Sequence, residues 1–382
     1  MSTTVCITPL TLGYPQGGGH LWVYLNWALS LSALGCRVLW LEEIGEFAAT
    51  RPKEEVERDI ALLGRRLDDH GLGSALALAS TGGEQPLHPS LVEGRLDLDA
   101  VVDEADLLLD FAYDTPRDVL ARFRSTALVD LDPGLLQLWA SQGDLRVGEH
   151  DAYFTIGETV GTSRARFPDG GVPWLYTPPP VFLPAWEPVE ARAGAPYTTV
   201  SNWWGEWLYL DGESVNNDKR TAFLEYLELP RRTSARLELA LTMDDYTAVT
   251  DGPLLRRNGW TVEDAWETCA SPERYQSYIR GSRGEFSCAK PSCRLLVNAW
   301  ISDRTICYLA SGKPAVVEHT GDSCILPEGE GLFRFRDLDE AVAAIEAVEA
   351  DYERHSGAAR TLAEERFDGE RVVRKVLERA LP

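Results

Sequence analysis

Short apolar runs alternate with amphipathic stretches in a regular order along the chain. Residues 4–9 (TVCITP) are apolar enough for a short buried strand. After the loop 12–19, Leu21, Tyr24, Leu25, Ala28, Leu31 and Ala33 predict a largely buried helix over 20–34, with Gly35 as its stop. Residues 36–42 (CRVLWLE) read as a second strand. Strand, glycine loop, helix and strand in this order make a βαβ unit, which implies a parallel sheet with a right-handed crossover. Further strands are expected at 106–111, 126–131 and 152–156.

The pattern then breaks and restarts. Residues 177–196 hold six prolines, cannot form regular helix and read as an interdomain linker. Beyond it come a strand at 197–201, a helix at 217–227 and strands at 236–242, 275–281, 294–298 and 314–318. Helices are expected at 338–355 and 357–380. The organisation is therefore two α/β units: residues 1–178, a linker at 179–196, then 197–355, with 356–382 as a C-terminal helical extension. The cleft between the units is the default ligand site.

Composition narrows the function. A chain of 382 residues exceeds one ordinary core, which fits two domains. Against 37 Lys+Arg stand 60 Asp+Glu, a net charge of −23, which argues against nucleic acid polymers and anionic lipid surfaces as partners. No run approaches the ~18 apolar residues of an integral membrane segment, and no secretory leader is visible. Seven scattered cysteines without a CxxC complete no zinc set, so no metal site and a cytoplasmic location are expected.

Three motifs carry candidate chemistry. Gly17-Gly18-Gly19-His20 sits between the first strand and first helix, where glycines permit close backbone approach and a helix start offers free N–H groups. A plain βα turn fits the glycines nearly as well. His20 there is placed as a general base or donor, or as a packing residue. Asp130-Leu131-Asp132-Pro133-Gly134 ends a strand, with Asp132 the one favoured for the cleft and both residues also suited to forming the turn. The third motif combines Arg283, Glu285 and Lys290 with Ser302, Asp303 and Arg304, where Ser302 caps a helix at 303–310 and Gly312 ends it. That helix start, with Arg304, suits a diphosphate. Glu318, His319, Thr320 and Gly321 follow at the end of the next strand. Trp203, Trp204 and Trp207 cluster after residue 201, with packing weighed against stacking on a sugar or base.

These features resemble GT-B-type glycosyltransferases, which pair two Rossmann-like domains facing each other across a cleft. The resemblance rests on the GGGH loop, the linker and CYLASGKPAVVEHTG at 307–321; DLDPG, SRGEFS and SDRTICYLASGKP are similar to a bacterial subgroup of predicted glycosyltransferases. It implies an N-terminal acceptor domain and a C-terminal domain that binds a nucleotide sugar as co-substrate, with no cofactor. Ser302, Asp303 and Arg304 then fall where the family's helix start meets the donor diphosphate, and residues 318–321 where its loop meets the sugar. His20 matches the base of some inverting members. Cys307 departs from the acidic residue that holds ribose in many relatives, so Glu285 or Asp303 would have to serve instead. The C-terminal helix would pack back on the N-terminal domain.

The resulting expectation is metal-independent transfer of a sugar from a nucleoside-diphosphate donor to a small-molecule or glycan acceptor, with His20 or Asp132 as base. A sugar-nucleotide epimerase and a non-catalytic nucleotide-sugar-binding protein are the competing readings. The absence of a dinucleotide fingerprint disfavours a dehydrogenase.

Overall fold

The computed structural model describes residues 2–80, 88, 91, 93–205, 207–210, 212–327 and 329–381. Two all-parallel sheets dominate it. The first contains β1 (Thr4–Ile7), β2 (Arg37–Glu43), β3 (Leu76–Ala79), β4 (Leu107–Asp110), β5 (Thr126–Asp130), β6 (Ala152–Thr155) and β7 (Leu175–Tyr176), in the order β3-β2-β1-β4-β5-β6-β7. Its central strands are buried on both faces, as the unbroken apolar runs require.

The second sheet contains β8 (Tyr197–Asn202), β11 (Leu237–Thr242), β12 (Thr261–Asp264), β13 (Gly284–Ser287), β14 (Ala315–Glu318) and β15 (Leu332–Phe335), in the order β12-β11-β8-β13-β14-β15. Both sheets therefore reverse direction beside their first strand, at β1/β4 and at β8/β13. Such a switch point opens a crevice at the carboxyl ends of the strands. A separate antiparallel hairpin, β9 (Trp207–Leu210) and β10 (Glu213–Asn216), is inserted after β8.

Several expected elements differ. Residues 275–281 lie in the helix Pro272–Gly281, not in a strand. Ser271 caps this helix, Pro272 opens it, and Tyr275 and Ile279 bury one face four residues apart. Residues 294–298 also form no strand: the helix Pro291–Leu296 ends there with Val297 at φ 55°. The strand of this region is β13, which lies within the third motif, between Arg283 and Lys290. The last two expected helices are each broken, into Leu338–Ala350, Tyr352–Leu362, a π-turn Ala363–Phe367 and Gly369–Ala380.

One continuous core joins the two sheets' helices. The helix Gly18–Ala33 packs against Gly369–Ala380, Pro272–Gly281 and Asp303–Ala310. The proline-rich crossing is pinned rather than loose. Val181 N donates to Phe367 O at 2.8 Å, Lys313 Nζ donates to Val189 O at 2.7 Å, and Trp186 is fully buried. Among the described residues, no helix is long and apolar enough to cross a membrane.

Candidate active site

The carboxyl ends of β1 and β8 face one another across a cavity of about 580 Å³. From the first sheet come Tyr14, Gln16, Gly17, Gly18, Gly19, His20 and Val23; from the second come residues after β8, β11 and β13 and the start of the helix Asp303–Ala310. The loop entering the first helix is fixed by Glu42, buried at the end of β2, which accepts from Thr11 N, Thr11 Oγ1, Leu12 N and Trp40 Nε1. Burial pushes the Glu42 carboxyl up, and these donors pull it back.

The three glycines answer to protein rather than to open space. A Cβ on Gly18 would stand 2.3 Å from the Ser271 carbonyl oxygen and 2.4 Å from that of Cys269, and one on Gly19 would stand 2.5 Å from the Tyr275 ring. Gly18 N donates to Cys269 O at 3.2 Å, and Trp22 Nε1 donates to Pro272 O at 2.9 Å. The GGG run thus lets the first helix abut the second unit, and it also forms part of the cavity wall.

His20 lies between two tyrosines, edge-on to Tyr14 at 5.8 Å and to Tyr24 at 5.4 Å between centroids. Its Nε2 meets Leu10 O at 2.8 Å. A carbonyl only accepts, so Nε2 carries a hydrogen, and in the neutral ring Nδ1 is then the nitrogen with the lone pair. Nδ1 has no hydrogen-bond partner among the described residues. Facing His20 is Asp303, whose carboxyl is pushed up by burial and drawn down by Arg304 and His20.

The opposite wall is cationic. Lys219, Lys290 and Arg304 all line it, beside Ser302, whose Oγ accepts from Arg304 N and caps the helix Asp303–Ala310. Lys219 was not anticipated from the sequence. It opens the helix Lys219–Glu225 behind the Asp218 cap, a position where a cation opposes the helix dipole. That misplacement was the available signal. Its ammonium is buried, donates to Cys288 O and has no carboxylate partner among the described residues. Burial, then Arg304, depress it to about 8.

Arg304 is already committed. Its Nε binds Glu285 Oε1 at 2.7 Å, Nη1 binds Val200 O at 2.9 Å and Nη2 binds Ser287 Oγ. Glu285, wholly buried beneath it, does not reach the cavity, which removes it as a ribose ligand. Arg304 therefore sets the shape and field of the wall, with three of its five N–H donors already held by the protein.

Other expected residues lie elsewhere. Arg283 precedes β13 at the amino-terminal end of this central strand, opposite the cavity end, where it pairs with Glu349 at 2.9 Å and stacks on Tyr352. Glu318 is buried against Arg294, Tyr226 and Ala289 N. Thr320 Oγ1 donates to Trp300 O at 2.6 Å, and Gly321 N donates to His319 Nδ1 at 3.2 Å. None of residues 318–321 lines this cavity. Asp130 is fully buried, accepting from Gln137, Thr155 Oγ1 and Asp132 N, and burial raises it to about 7. Asp132 accepts from Tyr113 OH at 3.0 Å and is likewise absent from the cavity wall. Both aspartates build the turn that starts the helix Leu135–Gln142. The tryptophans divide: Trp203 is buried on Asp251, Trp204 lines the cavity and Trp207 is exposed.

No protein-family model matches the chain, and no curated protein matches it. Solved structures do, and they define the class: the architecture is the GT-B fold. An α-glucosyltransferase in complex with UDP and a 13-mer DNA is similar over 100% of both chains, with a TM-score of 0.60 at 10% identity. Anabaena HepE in complex with UDP and glucose is similar over 98% of both chains, with a TM-score of 0.54 at 11% identity. AviGT4, a glycosyltransferase of avilamycin A biosynthesis, is similar over 99% of this chain and 97% of its own, with a TM-score of 0.53 at 14% identity.

Proposed function

We propose that the protein is a glycosyltransferase that moves a sugar from a nucleoside-diphosphate donor to a hydroxyl-bearing acceptor. One observation carries this reading: in a GT-B fold, a buried lysine with no carboxylate partner among the described residues faces a histidine with a free lone pair across one cavity. Lys219, Lys290 and the amides opening the helix Asp303–Ala310 supply positive charge for a diphosphate. The edge-to-face pair Tyr14–Trp266, at 5.3 Å, gives the mouth an aromatic wall for the nucleobase. Asp303 is the acidic group left on the wall for hydroxyls of ribose or sugar, since Cys307 and Glu285 are buried away from it.

In the reaction, His20 Nδ1 removes the acceptor hydroxyl's proton as that oxygen bonds to the anomeric carbon. The bond from that carbon to the diphosphate breaks, and its electron pair leaves with the diphosphate. The cations stabilise the charge that develops on the leaving group. The N-terminal unit, which supplies His20, holds the acceptor, and the C-terminal unit holds the donor. Nothing in this scheme needs a metal, so turnover should persist in chelator. His20→Ala should abolish product formation by at least about 100-fold while leaving nucleoside-diphosphate affinity within twofold. Full activity in this variant would remove histidine from the base role. An epimerase would convert the donor sugar without an acceptor, and acceptor-free incubations would reveal it.

A further inference from the structure

The hairpin β9–β10 belongs to neither sheet, yet it spans from one unit to the other. Its inner face carries Leu208, only 3% exposed, in a cluster with Leu135, Leu138 and Leu296, with Leu210 and Val215 packed alongside. Gln142 Nε2 donates to Tyr209 O at 2.9 Å. The hairpin is thus rooted after β8 and seated on the helix Leu135–Gln142 of the first unit, and this anchoring fixes which face looks outward.

Strand alternation puts Trp207 and Tyr209 on that outer face, 69% and 59% exposed. Their cross-strand neighbours are Asn216 and Ser214. Trp204, 48% exposed, lines the cavity and leads directly into the hairpin. Exposed apolar side chains gathered on one face mark interaction surfaces, whereas scattered ones do not. Trp204 lies on the cavity wall three residues before Trp207, and the hairpin's outer face sets flat apolar rings beside the amide of Asn216 and the hydroxyl of Ser214. That is the chemistry that receives a sugar ring, whose C–H face is apolar and whose edge is polar.

Charge selects among occupants. Residues 203–216 contain Glu206, Asp211 and Glu213 and no Lys, Arg or His. Anionic lipid and nucleic acid strands both require cations beside the aromatics. We infer that Trp204, Trp207 and Tyr209 form an aromatic track that carries a neutral oligosaccharide acceptor, its units beyond the reacting one, into the cleft. This rests on the transferase reading and extends it to the acceptor's class.

Native affinity electrophoresis tests the track without turnover, and the net charge of −23 gives the protein ready mobility. The probes are dextran, laminarin, xylan, galactomannan and soluble starch, each cast into the gel. At least one should retard the native protein. Trp207→Ala and Tyr209→Ala should each weaken that retardation about fivefold, the loss of one stacked ring, with unchanged melting temperature. Trp207→Phe should retain most of it. Nucleoside-diphosphate binding, measured on the same samples, should not change in any variant. Retardation by none of the glycans, or equal retardation of the alanine variants, overturns the proposal. So does binding to phosphatidylserine vesicles or single-stranded DNA that the two alanine substitutions abolish. If glycan is bound through these rings but no nucleoside diphosphate binds, the track stands and the transferase reading fails.

Discussion

Replacing Lys219 by methionine separates a ligand-binding lysine from a structural one. The ammonium is depressed from 10.5 to about 8, mainly by burial, which corresponds to a penalty on the order of 3 kcal/mol for keeping it charged at pH 7. Methionine fills similar volume without that penalty, but it forfeits the hydrogen bond to Cys288 O, which keeps only the longer contact from Ser287 Oγ at 3.3 Å, a loss of about 1–3 kcal/mol. The balance predicts a variant as stable as the native protein or up to about 2 kcal/mol more stable at neutral pH. The pH dependence carries the sign. The folded value lies below the unfolded one, so the penalty is complete below pH about 8 and disappears as the pH rises through 10.5. Native protein should therefore gain on Lys219→Met across that window. Removing one charged donor from a diphosphate should weaken nucleoside-diphosphate binding about 10- to 100-fold. Thermal unfolding at pH 7 and pH 10, with calorimetric titration of UDP, GDP, ADP and dTDP, measures both effects. A variant destabilised by more than about 2 kcal/mol with undiminished nucleotide affinity would refute the reasoning and make Lys219 a framework residue.

Other outcomes follow from particular contacts. Arg304→Ala strands the buried Glu285 carboxylate and should cost about 3–5 kcal/mol in denaturant unfolding; adding Glu285→Gln should recover a large part of it, whereas a purely ligand-binding arginine would show no such rescue. Gly18→Val places side-chain carbon against the Ser271 and Cys269 carbonyls, so it should open the seam between the units, raising the radius of gyration in solution scattering. Asp130, raised by burial from 3.8 to about 7, binds its proton more tightly folded than unfolded. Stability should accordingly fall as pH rises from about 4 to 7, by at most about 4 kcal/mol, and melting curves of Asp130→Ala should lack that component.

What was legible in the chain was local. The βαβ opening and the Ser302-capped helix ending before Gly312 each follow from signals within a few residues, and the structure carries both. The misread strand at 275–281 shows propensity yielding to capping, since Ser271-Pro272 fixes a helix start whatever aromatic content follows. The site was harder, because its walls come from long range. Arg304 looks like a free phosphate ligand until Glu285 and Ser287 are brought beneath it by β13, a strand between Arg283 and Lys290. Lys219 becomes a site residue only where β8 meets β13, 69 residues from its carbonyl partner at Cys288. The glycine run lies between β1 and β2 at the start of the first helix, but no local pattern could show that Ser271 and Tyr275 press against it.

On the proposed function, the cavity between β1 and β8 holds a nucleoside diphosphate. The most direct test is a crystal structure of the protein with the tightest-binding nucleoside diphosphate from the calorimetric panel. The diphosphate should lie within hydrogen-bonding distance of Lys219 Nζ, Lys290 Nζ and the amides opening the helix Asp303–Ala310, with its free end toward His20. A nucleotide bound elsewhere, or with its phosphates turned away from Lys219, would contradict it.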